Sequence, residues 1–92
     1  MAKSIRLSDH SILSASKRGA HIDEIQRTIL ESEWEPARSY RCSARKVFPF
    51  NSISPVNGKR YRTKTVEVVF KDEPDEIVVV TVKVYYGDEV KQ

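Results

Sequence analysis

His10, Ser14, Lys17 and Arg18 recur at i, i+4, i+7 and i+8, a spacing that puts them on one side of a helix. A neutral imidazole beside an ammonium and a guanidinium can take a proton from a hydroxyl while the cations hold the negative charge that develops. A second group of cations lies downstream. Between Pro36 and Val66 the chain carries eight basic residues (Arg38, Arg41, Arg45, Lys46, Lys59, Arg60, Arg62 and Lys64) and no acidic one. The net charge of the whole chain is only +3, so the rest is acidic. Charge segregated in this way attracts a polyanion, and nucleic acid is the obvious cellular one. Trp34, just ahead of this segment, and Tyr40, Phe48 and Tyr61 within it could stack on bases. Thr81, Lys83 and Tyr85 alternate along the last apolar run, as residues on one face of a strand do.

Other chemistries find little support. Two histidines eleven positions apart and the single cysteine, Cys42, do not match a zinc spacing. Three glycines provide no phosphate-cradling loop, and there is no nucleophile elbow. His21 reads as a residue at the start of a helix, and Cys42 as a small packed side chain. Neither a metal nor a cofactor is expected.

These groups need a scaffold, and 92 residues suit one domain spanning 1–92. Hydrophobic residues at 39% and charged residues at 32% describe a globular chain. A lone cysteine suits a reducing compartment. No run approaches a membrane span, and Met1–Arg6 holds no apolar leader, so a cytoplasmic protein is expected.

Ser8 is a natural N-cap and Gly19 a left-handed stop, which predicts a helix over 9–18. Ile22, Ile25, Ile29 and Leu30 form one apolar stripe, predicting a second helix over 21–32 that ends before Pro36. The period then changes to two. Arg38–Arg41, Arg45–Phe50, Arg60–Phe70 and Ile77–Tyr86 read as strands, with a turn-rich loop over 51–58 and a polar hairpin linker over 71–76. The expected fold is α+β: two N-terminal helices on one face of a four-stranded, mainly antiparallel sheet over about 37–86. Strict alternation puts Val78, Val80, Val82, Val84 and Tyr86 in the core and Ile77, Val79, Thr81, Lys83 and Tyr85 opposite. The same parity brings Arg62 and Lys64 out at the rim of the sheet.

Two runs, Leu7-Ser8-Asp9-His10 and Lys17-Arg18-Gly19-Ala20-His21-Ile22, together with Val78-Val79-Val80-Thr81-Val82, carry a family likeness. The chain resembles, over residues 5 to 87, a family of small bacterial domains of unknown function. These have an N-terminal Ser-x-His helix, an Arg-Gly turn between helices, and a last hydrophobic strand with a central threonine. They are grouped with the barnase–EndoU–colicin–RelE class of metal-independent ribonucleases, many of which are toxins. The likeness marks His10, Arg18 and Thr81, with Lys46 or Lys64 as the strand cation. At Ser14 the chain departs from the family, which carries a basic residue there.

What the resemblance implies is a toxin-like endoribonuclease in which a 2′-hydroxyl attacks the adjacent phosphate to give a cyclic phosphate. His10 would move the proton, Arg18 and Lys64 would stabilise charge, and Thr81 and Tyr85 would position the phosphate. Lys17, Arg41, Lys46, Arg60, Arg62 and Lys83 would bind RNA, and an acidic antitoxin or immunity protein would be a partner. Two alternatives stay open on the residues alone: a non-catalytic RNA-binding module, and an assembly domain that docks an acidic protein through the basic segment.

Overall fold

The computed structural model describes residues 3–90; Met1 and Ala2, at the head of the N-terminal segment read above, and the last two residues lie outside it. Strand β1 (Ser4–Leu7) precedes helices α1 (Asp9–Arg18) and α2 (Ile22–Glu31). Four strands follow: β2 (Glu35–Ala37), β3 (Arg41–Ile53), β4 (Arg60–Asp72) and β5 (Glu76–Glu89).

Local chemistry sets the helix ends. The Ser8 side chain accepts the Ser11 N–H at 3.1 Å and caps α1. Gly19, at φ 83°, ends it with its N–H on the Ala15 carbonyl. A side chain at Gly19 would meet Pro55 and the Tyr86 hydroxyl at 2.7 Å, so glycine is needed for space as well as for backbone angle. At the head of α2 the Glu24 carboxylate accepts the His21 N–H. Trp34 closes its far end by donating its indole N–H to the Ile29 carbonyl at 2.8 Å.

The class is α+β, but the sheet has five strands in the order β1-β5-β4-β3-β2 and is mixed. The strand missed by the sequence is β1, which pairs parallel with Glu76–Val79 at one edge. The remaining pairs are antiparallel. The expected strand at Arg38–Arg41 is instead a turn over 38–40 between β2 and β3, and the expected Arg45–Phe50 lies within β3, which extends further at both ends.

Both helices lie on one face. α1 packs on β5 and α2 on β4 and β3, around Ile25, Ile29, Val66, Val68, Phe70, Val79 and Val82. Helices of ten residues reach about 15 Å, whereas 13-residue strands run to about 43 Å. The β3–β4–β5 hairpins therefore continue well past the helix layer, which fits an elongated 49 × 24 × 24 Å shape.

A β-bulge corrects the expected faces of β5. Phe70 pairs with Val79 while Val69 pairs with Thr81, which leaves Val80 without a partner and reverses the alternation there. Ile77 and Val79 are consequently buried under the helices, whereas Val78 and Val80 are only half-buried. Beyond the bulge the expected parity holds: Val82 is buried, Val84 packs on the core and Tyr86 reaches α1.

Candidate functional site

The head of α1 is docked on the edge of β5 just where β1 stops. The Ser8 N–H donates to the Val79 carbonyl at 3.0 Å, and its hydroxyl donates to the Val80 carbonyl at 3.3 Å. In the first turn of the helix, the exposed His10 places Nε2 3.4 Å from the Thr81 hydroxyl. Arg18, at the other end of α1, reaches back and donates to the Val82 carbonyl at 2.6 Å. Its own carbonyl accepts the Tyr86 hydroxyl at 2.6 Å. His10 thus reaches Thr81, and Arg18 the carbonyl of the adjoining Val82, along one sheet edge, although the chain separates these residues by up to 71 positions. The edge supplies an imidazole, a hydroxyl and a partly exposed guanidinium, enough to bind an anion and accept a proton. Ser14 is turned away from this group; it is buried and donates to the His10 carbonyl at 2.7 Å. Lys17 is exposed on the same helix.

Lys64 lies elsewhere. Its ammonium is not at the rim of the sheet but 2% exposed beneath the interhelical turn. It donates to Glu24 at 2.7 Å and to the Gly19 carbonyl at 3.0 Å, and it lies 5.3 Å from the Phe50 ring centroid. A group so enclosed has no open side for a phosphate. Tyr85 belongs to the uncovered face of the sheet. It sits opposite Thr65, with the Arg45 guanidinium 5.8 Å from its ring, and Lys83 lies opposite Glu67.

The basic segment is divided in two ways. Acids from other parts of the chain fold onto half of it: Glu67 on Arg45, Glu31 on Lys46, Glu89 on Lys59 and Glu24 on Lys64. Hydrogen bonds from Arg27 and then Lys46 hold the Glu31 carboxyl below its ordinary range. Among the described residues Arg38, Arg41, Arg60 and Arg62 have no carboxylate partner. Arg38 and Arg41 flank the β2–β3 turn, whereas Arg60 and Arg62 open β4, and the antiparallel pairing carries these two pairs to opposite ends of the sheet.

Aromatic residues follow the same division. Phe48 is buried, with the Arg27 guanidinium 5.2 Å from its ring, and has no face for a base. Tyr61 and Phe50 pack on Tyr86 near the Arg60 end. Burial there pushes the Tyr86 phenol above its ordinary range. Trp34 and Tyr40 stand near Arg38 and Arg41, along a groove that also includes Pro36, Ala37 and Cys42. The sequence supplies these residues individually but gives no sign that they line one groove.

Among the described residues no three His, Cys, Asp or Glu side chains are grouped to hold a metal, and no helix is long and apolar enough to cross a membrane. No family model matches the chain, and no curated protein or solved structure was found to match it.

Proposed function

We propose that this chain binds single-stranded RNA and cleaves it by internal attack of a 2′-hydroxyl. The observation that carries this reading is the placement of His10, Thr81 and Arg18 along the β5 edge. His10 takes the 2′-proton on Nδ1, its Nε2–H held toward the Thr81 hydroxyl, as the 2′-oxygen bonds to phosphorus. The bond from phosphorus to the 5′-oxygen breaks, that oxygen takes a proton from solvent, and a cyclic phosphate remains. Arg18 keeps guanidinium hydrogens beyond the one held by Val82 and offers them to the phosphate oxygens. The Thr81 hydroxyl orients the imidazole, and the 3.4 Å separation is of the kind that tightens when substrate binds. Lys17 adds a nearby exposed cation. Lys64 and Tyr85 take no part.

The experiment is product analysis on a panel of labelled RNAs. Wild type should leave cyclic phosphate and 5′-hydroxyl ends, and His10→Ala should lower the rate by about 10²–10⁴ while RNA affinity and Tm hold. A wild type that cuts nothing, or a His10→Ala variant that cuts normally, overturns the assignment.

A second reading, contact with another protein, is favoured by a different surface. Ile12, Leu13, Ile22 and Leu30 are each more than half exposed on the helices. Stoichiometric capture of an acidic protein that leaves RNA uncut would support it in place of cleavage.

A further inference from the structure

Beyond α2, Trp34 and the turn that joins β2 to β3 line one groove together with Pro36, Ala37, Arg41 and Cys42. Trp34 is a fixed wall. Its ring packs edge-on against Phe70 at 4.9 Å, its N–H is committed to Ile29, and 41% of its surface stays open.

The turn beside it is strained. Ser39 and Tyr40 both adopt left-handed backbone, at φ 61° and 59°, and the Arg41 N–H closes the turn on the Arg38 carbonyl at 3.3 Å. A hairpin turn of this geometry is usually filled by Asn-Gly, because a side chain at positive φ is disfavoured. Packing does not compensate for a tyrosine there, since Tyr40 is fully exposed (104%). Strain of this sort, held without internal return, points to a role outside the fold.

Chemistry identifies what fits. Two aromatic rings offer π-faces, and Arg38 and Arg41 bracket the tyrosine without a carboxylate partner among the described residues. The Arg41 Nε is buried and unbonded, which leaves the outer nitrogens of its guanidinium as the ones able to meet a phosphate. Glu35, also on the groove, repels phosphate but accepts a hydrogen bond from an exocyclic amine.

We infer that this groove is a stacking site in which one nucleobase of single-stranded RNA lies between Trp34 and Tyr40 while its flanking phosphates rest on Arg38 and Arg41. The inference rests on the RNA-binding half of the proposed function and is independent of cleavage. Its place suits that function. α1 begins and α2 ends at the same end of the helix layer, and Phe70 beneath Trp34 pairs with Val79 beside the docked head of α1.

Trp34 is the sole tryptophan and reports its own occupancy. The probe is a 2′-O-methyl tetranucleotide, which has no free 2′-hydroxyl and cannot be cut by the proposed reaction. Saturable quenching of Trp34 emission is expected. Tyr40→Ala should weaken binding by about 5- to 150-fold, and Tyr40→Phe should restore it. An abasic tetranucleotide of equal charge should quench little. Equal quenching by the abasic probe, or unchanged affinity in Tyr40→Ala, overturns the site, as does stronger quenching by an acidic peptide. A wild type that quenches but cuts no RNA upholds the site and discards cleavage; one that cuts RNA with no Trp34 response discards the site alone.

Discussion

Replacing Lys64 by Met keeps the length of the apolar stem and removes only the ammonium. Two hydrogen bonds vanish, to Glu24 and to the Gly19 carbonyl. Glu24 is left 15% exposed with the His21 N–H as its remaining hydrogen-bond partner. Breaking a buried pair from one side costs about 3–5 kcal/mol. The lower end applies here, because Glu24 retains that partner and some water. A loss of about 3 kcal/mol corresponds to a fall in Tm of roughly 12–24 °C for a domain of this size. Replacing both residues, as Lys64→Met with Glu24→Leu, removes the stranded charge and should recover much of the loss. The measurement is a double-mutant cycle by denaturant unfolding, with RNA binding followed on the same samples. A coupling energy above about 1 kcal/mol is expected, along with wild-type RNA affinity wherever the protein is folded. A Lys64→Met variant as stable as wild type but weak for RNA would refute the reasoning, because it would put the ammonium in contact with phosphate.

The bulge makes neighbouring valines unequal: Val79→Ala should cost about 2 kcal/mol and Val80→Ala less than about 1, and matching denaturant midpoints would put the bulge elsewhere. Tyr86 holds its proton more tightly folded than unfolded, so the stability linked to it is complete below the ordinary phenol value and is lost as pH rises through the raised folded one. As pH rises above about 10 the unfolding midpoint should drop, and Tyr86→Phe should flatten that drop; an identical slope in the variant counts against the buried phenol. Arg38→Ala with Arg41→Ala should reduce the salt dependence of tetranucleotide binding by about 1.4, read from affinities at several salt concentrations. Arg60→Ala with Arg62→Ala should leave it unchanged, and the reverse result would move the binding site to the other end of the sheet.

The helices were legible because their signals are local. Ser8, Gly19 and an isoleucine stripe act within a few residues, and α1 spans the expected positions. β1 was not, since four residues become a strand only by pairing with Glu76–Val79, about seventy positions away. The bulge was hidden for another reason: Val78-Val79-Val80 offers the same side chain to either face, so no pattern marks where alternation breaks. His10, Arg18 and Thr81 are marked together in the sequence only by the resemblance, and their placement along one edge depends on that same bulge region, where α1 docks on the Val79 and Val80 carbonyls.

The fold distributes the cations differently from the sequence, for a geometric reason that bears on function. Eight cations within 31 residues suggest one field, but charges add only when they lie within about a Debye length, roughly 8–10 Å at physiological salt. Antiparallel strands of 13 residues take neighbours in sequence to ends about 40 Å apart. Acids from α2, β4 and β5 then neutralise the cations in between. What remains is two arginine pairs too distant to reinforce one another, each beside its own aromatics. Of the two, only the pair at Arg38 and Arg41 shares its end of the helix layer with the head of α1. Under the proposed function, a short RNA would approach the groove and His10 from that end. On that geometry, rather than on total positive charge, the proposed function depends.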